Sequence, residues 1–289
     1  IGQLVSAEYN SSGAQEGSSY LRFYNVGGVC EPSDSVWCRT YNPEDYILVT
    51  PVTVGRFAEF GYYDLLNGVI DPYRTFRIEV TGTETIGGVT NYIIRNEQNQ
   101  AYDYFYAAAD GSVKWSRMDI FDVTDLPYSV TGVYDFTPDI TLAPAGMMAG
   151  DSWRQTVSVS APPGGTAMTW VMETTLVGIM DIDTPAGSFT DCGVVLININ
   201  GAEEEMIRYY CPGAGLVRLV IITRDELTGH VVQRHEWQRL YSYDGNSCSP
   251  PSSDYFVCYD DSECNDGYSN TVDVCENAGT CLAVCANLS

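Results

Sequence analysis

Apolar and polar residues alternate with a period of two through almost every patterned stretch of this chain, and that alternation commits it to β-structure. Residues 73–81, 90–96, 102–108 and 113–118 are rich in Tyr, Phe, Ile, Val and Thr, and Gly- or Asn-bearing turns separate them. Successive side chains of a strand point to opposite faces, so each such segment offers one face to a core and one to water. The same reading covers 153–160, 168–178, 194–200, 205–211, 216–224 and 230–243. Asn200-Gly201 and Thr228-Gly229 supply turn residues that tolerate positive φ, as hairpins require. No stretch carries apolar residues at i, i+3, i+4 and i+7 over three turns, so only short helices are expected, near 15–20 and 43–46. The expected fold is all-β with minor helix, an antiparallel sheet or half-barrel.

Two segments of this β-rich body align without a gap. Tyr106-Ala-Ala-Ala-Asp-Gly111-Ser-Val113-Lys114 matches Tyr210-Cys-Pro-Gly-Ala-Gly215-Leu-Val217-Arg218, and Val54-Gly55-Arg56-Phe57 is similar to Ala149-Gly150-Asp151-Ser152-Trp153. One reading is a duplicated unit; the other is that aromatic strands followed by Gly turns look alike anyway. With duplication, the chain divides into an N-terminal segment with a Cys30/Cys38 loop (1–47), two related β units (48–141 and 142–243) and a tail module (244–289).

Charge narrows the functional classes. Thirty-eight acidic side chains against 14 basic ones give a formal charge of −24, and Lys114 is the single lysine. Nucleic acid as a partner is excluded, because binding phosphates by counterion release needs clustered Lys and Arg. An anionic membrane surface is disfavoured for the same reason. No run approaches the roughly 18 to 20 uncharged apolar residues of a membrane-spanning helix; the longest, 216–223, is broken by Arg218. Acidic excess speaks to solubility and habitat, not to fold.

The ten cysteines are Cys30, Cys38, Cys192, Cys211, Cys248, Cys258, Cys264, Cys275, Cys281 and Cys285. Zinc is the weaker reading of the tail cluster, since no Cys-x-x-Cys pair exists and both histidines lie outside it. Disulfides are expected instead, with Cys30 paired to Cys38. Oxidised cysteines imply export, and the absence of a basic or apolar leader before Ile1 is read as a signal peptide already removed. Asn10 and Asn287 satisfy the N-glycosylation pattern.

Three segments carry a resemblance. Met147-Met-Ala-Gly-Asp-Ser-Trp153, Thr184-Pro-Ala-Gly-Ser-Phe-Thr-Asp-Cys192 and Tyr209-Tyr-Cys-Pro-Gly-Ala-Gly-Leu-Val217 resemble recurring motifs of uncharacterised exported bacterial β-sheet proteins and lipoproteins. Some of those resemble the half-barrel that carries lipoproteins across the periplasm. The resemblance covers 142–243, and more weakly 48–118, and implies a fold while bringing no catalytic residues with it. In physical terms these are turn motifs, shaped by Pro185 and Gly187 and by Pro212, Gly213 and Gly215. Cys192 and Cys211 depart from the family pattern. A bond between them would tie neighbouring strands and contribute about 3 kcal/mol in the chain-entropy model.

The tail is similar to Cys- and Asp-rich repeats of secreted environmental bacterial proteins, through Cys258-Tyr-Asp-Asp-Ser-Glu-Cys264-Asn-Asp-Gly267 and its continuation to Cys275. Ser269-Asn270 stands where the family has Cys-Thr, so the family pairing does not transfer. Oxygen donors on Asp260, Asp261, Asn265, Asp266 and Asp273, spaced around Gly267, would suit calcium, a hard cation taking six to eight oxygens. The plainer alternative is a set of solvated acids on a small disulfide knot.

Catalysis finds little support. His230 and His235 are the only candidate bases near neutral pH, and their odd separation on one strand places them on opposite faces. Gly-x-Ser-x-Gly, His-Glu-x-x-His, a phosphate-binding Gly loop and Cys-x-x-Cys-His are all missing. Glu203, Glu204 and Glu205 read as a charged hairpin tip, and the tyrosines read as strand formers before they read as a sugar-stacking platform. The expectation is a non-enzymatic, secreted, self-associating subunit of a surface or fibre-like assembly, with the strand-like residues 1–9 adding to a neighbour's sheet edge. The alternatives are a carrier of lipid or another apolar ligand, and a protein that hydrolyses or binds polysaccharide.

Overall fold

The structure, a computed structural model, describes residues 3–9, 15–22, 41, 43, 52–65, 68–122, 130–199, 204–224, 231–251, 253–267 and 271–288. Asn10, Cys30, Cys38, Glu203, His230 and the turns Asn200-Gly201 and Thr228-Gly229 lie outside the described residues.

Strands β1 (Gln3–Tyr9) and β2 (Gln15–Arg22) pair antiparallel with each other. The second of these replaces the short helix expected at 15–20. Gly17, Ser18 and Ser19 are poor helix-interior residues, and cross-strand pairing from Gln3↔Arg22 to Tyr9↔Gln15 satisfies the backbone instead. One edge of β1 is therefore occupied by its own chain.

The body is a single antiparallel meander of twelve strands. These are β3 (Phe57–Asp64), β4 (Val69–Ile86), β5 (Val89–Asn96), β6 (Ala101–Ala107), β7 (Val113–Ile120), β8 (Gly132–Ala143), β9 (Ser152–Val159), β10 (Met168–Thr184), β11 (Gly187–Ile199), β12 (Glu204–Cys211), β13 (Gly215–Arg224) and β14 (Val231–Tyr243). Each strand pairs with the next, and β14 pairs on one side with β13 and on the other with β3, so the sheet closes into a barrel. Closure removes the unpaired N–H and C=O rows that an open sheet leaves at its edges.

Two places in this ring are narrow. β8 meets β9 only at Phe136↔Val159 and Thr137↔Ser158. At the closing seam β13 pairs with residues 231–238 of β14 and β3 with residues 237–243, so only Trp237 and Gln238 are paired to β13 and β3 at once. These seams separate two six-stranded runs, β3–β8 and β9–β14, across which the inward side chains face one another.

Inward residues pack into two apolar clusters. The larger is built from β6 to β12 around Trp115, Phe136 and Trp170, with Trp115 edge-on to Phe136 at a centroid distance of 4.8 Å. The smaller joins Ala58, Phe60 and Phe76 to Leu219, with Phe60 stacked on Phe76 at 4.9 Å. Each large apolar side chain so buried contributes roughly 1.5–3 kcal/mol. On the outer face, the buried carboxylate of Glu236 lies between Arg218 at 2.6 Å and Arg234 at 3.1 Å and accepts from Gln238 at 2.8 Å.

The tail contributes β15 (Cys248–Ser249), which adds to β14, a 3-10 turn at Asp261–Cys264, and the pair β16 (Val272–Glu276) and β17 (Val284–Leu288). Its disulfides are Cys248–Cys281, Cys258–Cys275 and Cys264–Cys285, while Cys192–Cys211 joins β11 to β12. The tail also docks: Phe256 and Cys281 pack with Phe57, Leu240 and Tyr241, the residues of the closing seam. Phe256 meets Tyr241 edge-on at 5.1 Å.

Glu236→Ala leaves two arginines facing each other without their carboxylate, and should cost about 3–5 kcal/mol in urea unfolding. Replacing Cys248 and Cys281 by Ser opens a loop of 33 residues' separation, and should cost about 3–4 kcal/mol. A cost below about 1 kcal/mol in either case would show that the contact contributes little.

Candidate functional site

A cavity of about 130 Å³ lies between the two apolar clusters. Its walls come from both halves of the ring: Phe60 of β3, Phe76, Ile78 and Val80 of β4, Ile94 of β5 and Phe105 of β6 on one side, Tyr210 of β12, Leu216 and Leu219 of β13 on the other. The register explains the selection. Phe60 is opposite Phe76, Val80 opposite Ile94 and Ile94 opposite Asp103, so one parity of every strand points into the lumen.

Four charged side chains interrupt these apolar rows: Asp103, Arg208, Arg239 and Arg56. Asp103 takes the inward place between Ala101 and Phe105 and is buried. Its Oδ2 accepts from the Asn96 amide at 3.1 Å, while Oδ1 has no well-formed hydrogen bond. Burial pushes its carboxyl up to about 6, against the Asn96 hydrogen bond and the nearby positive charge of Arg208, which pull it down. Arg208, inward between Met206 and Tyr210, donates to the Tyr210 hydroxyl at 3.2 Å.

Arg239 is 4% exposed. Its Nη2 donates to the Ala214 carbonyl at 2.8 Å, and its guanidinium lies 5.8 Å from the Phe60 ring and 5.9 Å from that of Phe189. Arg56 donates through Nη2 to the neighbouring carbonyl of Gly213 at 3.2 Å. Adjacent carbonyls of one turn thus hold two guanidiniums side by side. The Arg239 guanidinium is pushed down to about 9, first by burial and then by the positive charge of Arg56. Arg56 is lowered by burial and partly relieved by Asp244, whose oxygens are taken by the backbone N–H groups of Asn246 and Ser247 and by the Ser247 hydroxyl. Among the described residues neither arginine is paired with a carboxylate.

The turn motifs noted in the sequence meet here. The Pro212-Gly213-Ala214-Gly215 turn supplies both carbonyls, with Gly213 at φ +68°, a backbone conformation few side chains accept. Ala186, in the turn of Thr184-Pro-Ala-Gly-Ser-Phe189, donates its N–H to the Arg239 carbonyl at 3.1 Å, and Phe189 lies beside the Arg239 head. The disulfide between Cys192 and Cys211 fastens these two segments together. Sequence reading identified the turns and missed the arginines. The available signal was a lone charge at an inward position of a strand, two residues after Trp237 for Arg239 and between Ala101 and Phe105 for Asp103.

The five candidate calcium ligands all fall in the tail. Asp260 caps the 3-10 turn and accepts from Ser262, Asp261 accepts from the Cys275 N–H at 2.8 Å, Asn265 from the Gly267 N–H at 2.8 Å, and Asp266 from the Thr271 hydroxyl at 3.0 Å. Asp273 lies on β16, with a buried Oδ1 that accepts no hydrogen bond. Among the described residues, the three potential ligand atoms found within 4.8 Å of one another are the sulfurs of Cys258, Cys264 and Cys275, all committed to disulfides. Of the two histidines, His235 is described, and its ring packs against Tyr62 and Trp237.

No protein-family model matches the chain, and no curated protein does. Two crystal structures share a distant likeness. A candidate lipoprotein from Parabacteroides distasonis ATCC 8503 is 15% identical with a TM-score of 0.35, over 69% of this chain and all of that one. A candidate exported protein with a YmcC-like fold from Bacteroides fragilis NCTC 9343 is 14% identical with a TM-score of 0.38, over 68% of this chain and 98% of that one. At these scores neither likeness bears on function. No helix among the described residues is long and apolar enough to cross a membrane.

Asp103 makes the pH dependence of stability testable. Because its folded-state pKa lies above its unfolded value near 3.8, the folded protein binds the extra proton between those values. Its contribution is therefore fully present below about pH 4 and is lost as pH rises through about 6. The stability difference between Asp103→Asn and the parent protein should shift in favour of the variant by on the order of 3 kcal/mol across that window, measured by urea unfolding. A difference independent of pH would show that Asp103 keeps an ordinary pKa.

Proposed function

We propose that this is an exported binding protein that holds a small, largely apolar ligand in the barrel lumen. The observation that carries this reading is the cavity of about 130 Å³, bounded by apolar side chains from both halves of the ring. An apolar cavity of about 150 Å³ is known to stay dry and take up benzene, so this volume suits a ligand of similar bulk. Export is supported by the four disulfides among the described residues, since such bonds persist in oxidising compartments.

The assembly reading drew on strand edges. Those edges are largely spent within the chain: β3 and β14 close on each other, and β2 occupies one side of β1. Binding therefore has the stronger support. Calcium at the tail is a separate proposal, supported by the sequence spacing of Asp260, Asp261, Asn265, Asp266 and Asp273 around Gly267 and by the unpaired Oδ1 of Asp273. A polysaccharide-directed role has no comparable feature behind it.

Calorimetric titration with benzyl alcohol, a neutral molecule of suitable bulk, tests the lumen directly. The account expects saturable binding of one molecule per chain, abolished by Leu216→Trp, which fills the cavity from β13. Ala58→Leu repeats the test from the opposite wall. Absence of saturable binding, or binding that both folded variants leave intact, would remove the lumen as the site.

A further inference from the structure

The lumen carries a charge pattern that an apolar ligand alone does not explain. Three arginines and one carboxylate line the cavity, in a chain whose formal charge is −24. Arg208 and Asp103 answer each other electrostatically. Arg56 and Arg239 are left as a like-charged pair, anchored to the consecutive carbonyls of Gly213 and Ala214. Arg239 is 4% exposed, and its Nε has no hydrogen-bond partner. Burying a guanidinium beside another, with a donor unpaired, is costly unless an anion joins them.

We propose that Arg56 and Arg239 form a head-group site, and that the ligand of the lumen is a small organic carboxylate whose apolar body is about the size of a benzene ring. This rests on the lumen being a ligand site, and it specifies the class of ligand. A carboxylate between the two guanidiniums neutralises their repulsion and supplies acceptors for the unpaired Nε, in the planar geometry that arginine favours. The remainder of the ligand then lies against Phe60, Phe76, Leu216 and Leu219, which line the same cavity. A hydrated inorganic anion would satisfy the arginines but leave those walls facing water. The turn motifs acquire a purpose as well: Gly213 and Ala214 fix where the two heads sit, and Ala186 fixes the backbone of Arg239.

The test compares benzoate with benzyl alcohol, which share a ring and differ in charge, by calorimetry on the full disulfide-bonded chain at neutral pH. The expected result is benzoate binding at least about tenfold tighter than benzyl alcohol. Arg239→Met and Arg56→Met should each erase most of that preference, so that benzoate binds no more than about twofold tighter than benzyl alcohol to either variant. Lys114→Met, which removes a cation bonded to Thr141 and outside the cavity lining, should change neither. Should Arg239→Met fail to fold, Arg56→Met carries the test, since that side chain is not fully buried. Benzyl alcohol binding as tightly as benzoate, or a preference that survives in the folded arginine variants, overturns the carboxylate site while the apolar lumen stands. Failure of both compounds to bind overturns the carboxylate site together with the lumen reading.

Discussion

The pairing of β14 with β3 is the constraint on which the rest of this structure depends. A twelve-stranded meander left open has two long edges and no interior; closed, it has a lumen and almost no unpaired backbone. The closure is nevertheless narrow, with only Trp237 and Gln238 of β14 paired to β13 and β3 at once. Other interactions reinforce it. Tyr62 and Phe76 pack edge-on against Trp237 on the inner face, and the tail brings Phe256 and Cys281 against Phe57, Leu240 and Tyr241. The Cys-rich tail, separate in sequence, is thus part of the mechanical closure of the barrel. Its tie, Cys248–Cys281, starts from β15, the short strand paired beside the end of β14.

Closure also creates the site. The cavity walls belong to strands far apart in sequence, and Arg56, Gly213, Ala186 and Arg239 meet only because β3 and β14 are neighbours. Inside the ring the apolar majority lowers the local dielectric and so magnifies the cost of each charge. Asp103 responds by holding its proton to a higher pH, and Arg239 by holding its proton less tightly. Such groups are expensive to keep in a core, and a ligand whose charge complements them recovers part of that cost on binding.

The strands were legible wherever one face is buried and the other wet. Residues 113–118 and 216–224 show this, since Trp115 and Met118, or Leu219, face the core while Lys114 and Arg218 face outward. β3 and β8 carry no such pattern. Phe57–Asp64 is buried on both faces over residues 57–61, where the tail packs on the outer side of Phe57, and β8 contains Pro138 and loses register against β7, so neither alternates cleanly. Gln15–Arg22 has no periodicity of either kind, so its strand is invisible in the sequence. Closure was not legible at all, because pairing of the first with the last strand of a meander leaves no local pattern. The charged lumen was hidden for the same reason: the inward parity of Asp103 and Arg239 matters only once the lumen is known to exist. The turn motifs and the Cys192–Cys211 bond were visible, since Gly, Pro and Cys act through local geometry.

Hydrogen exchange of the native protein followed by NMR tests the closed ring most directly, with the backbone amides of β3 and of residues 237–243 as reporters. The account predicts that the amides donating across the seam are protected to the same degree as those of β10 and β11 in the middle of the second half. Fast exchange along the seam, with protection retained from β4 to β13, would mean an open sheet without a lumen, and the binding site described above would have no walls.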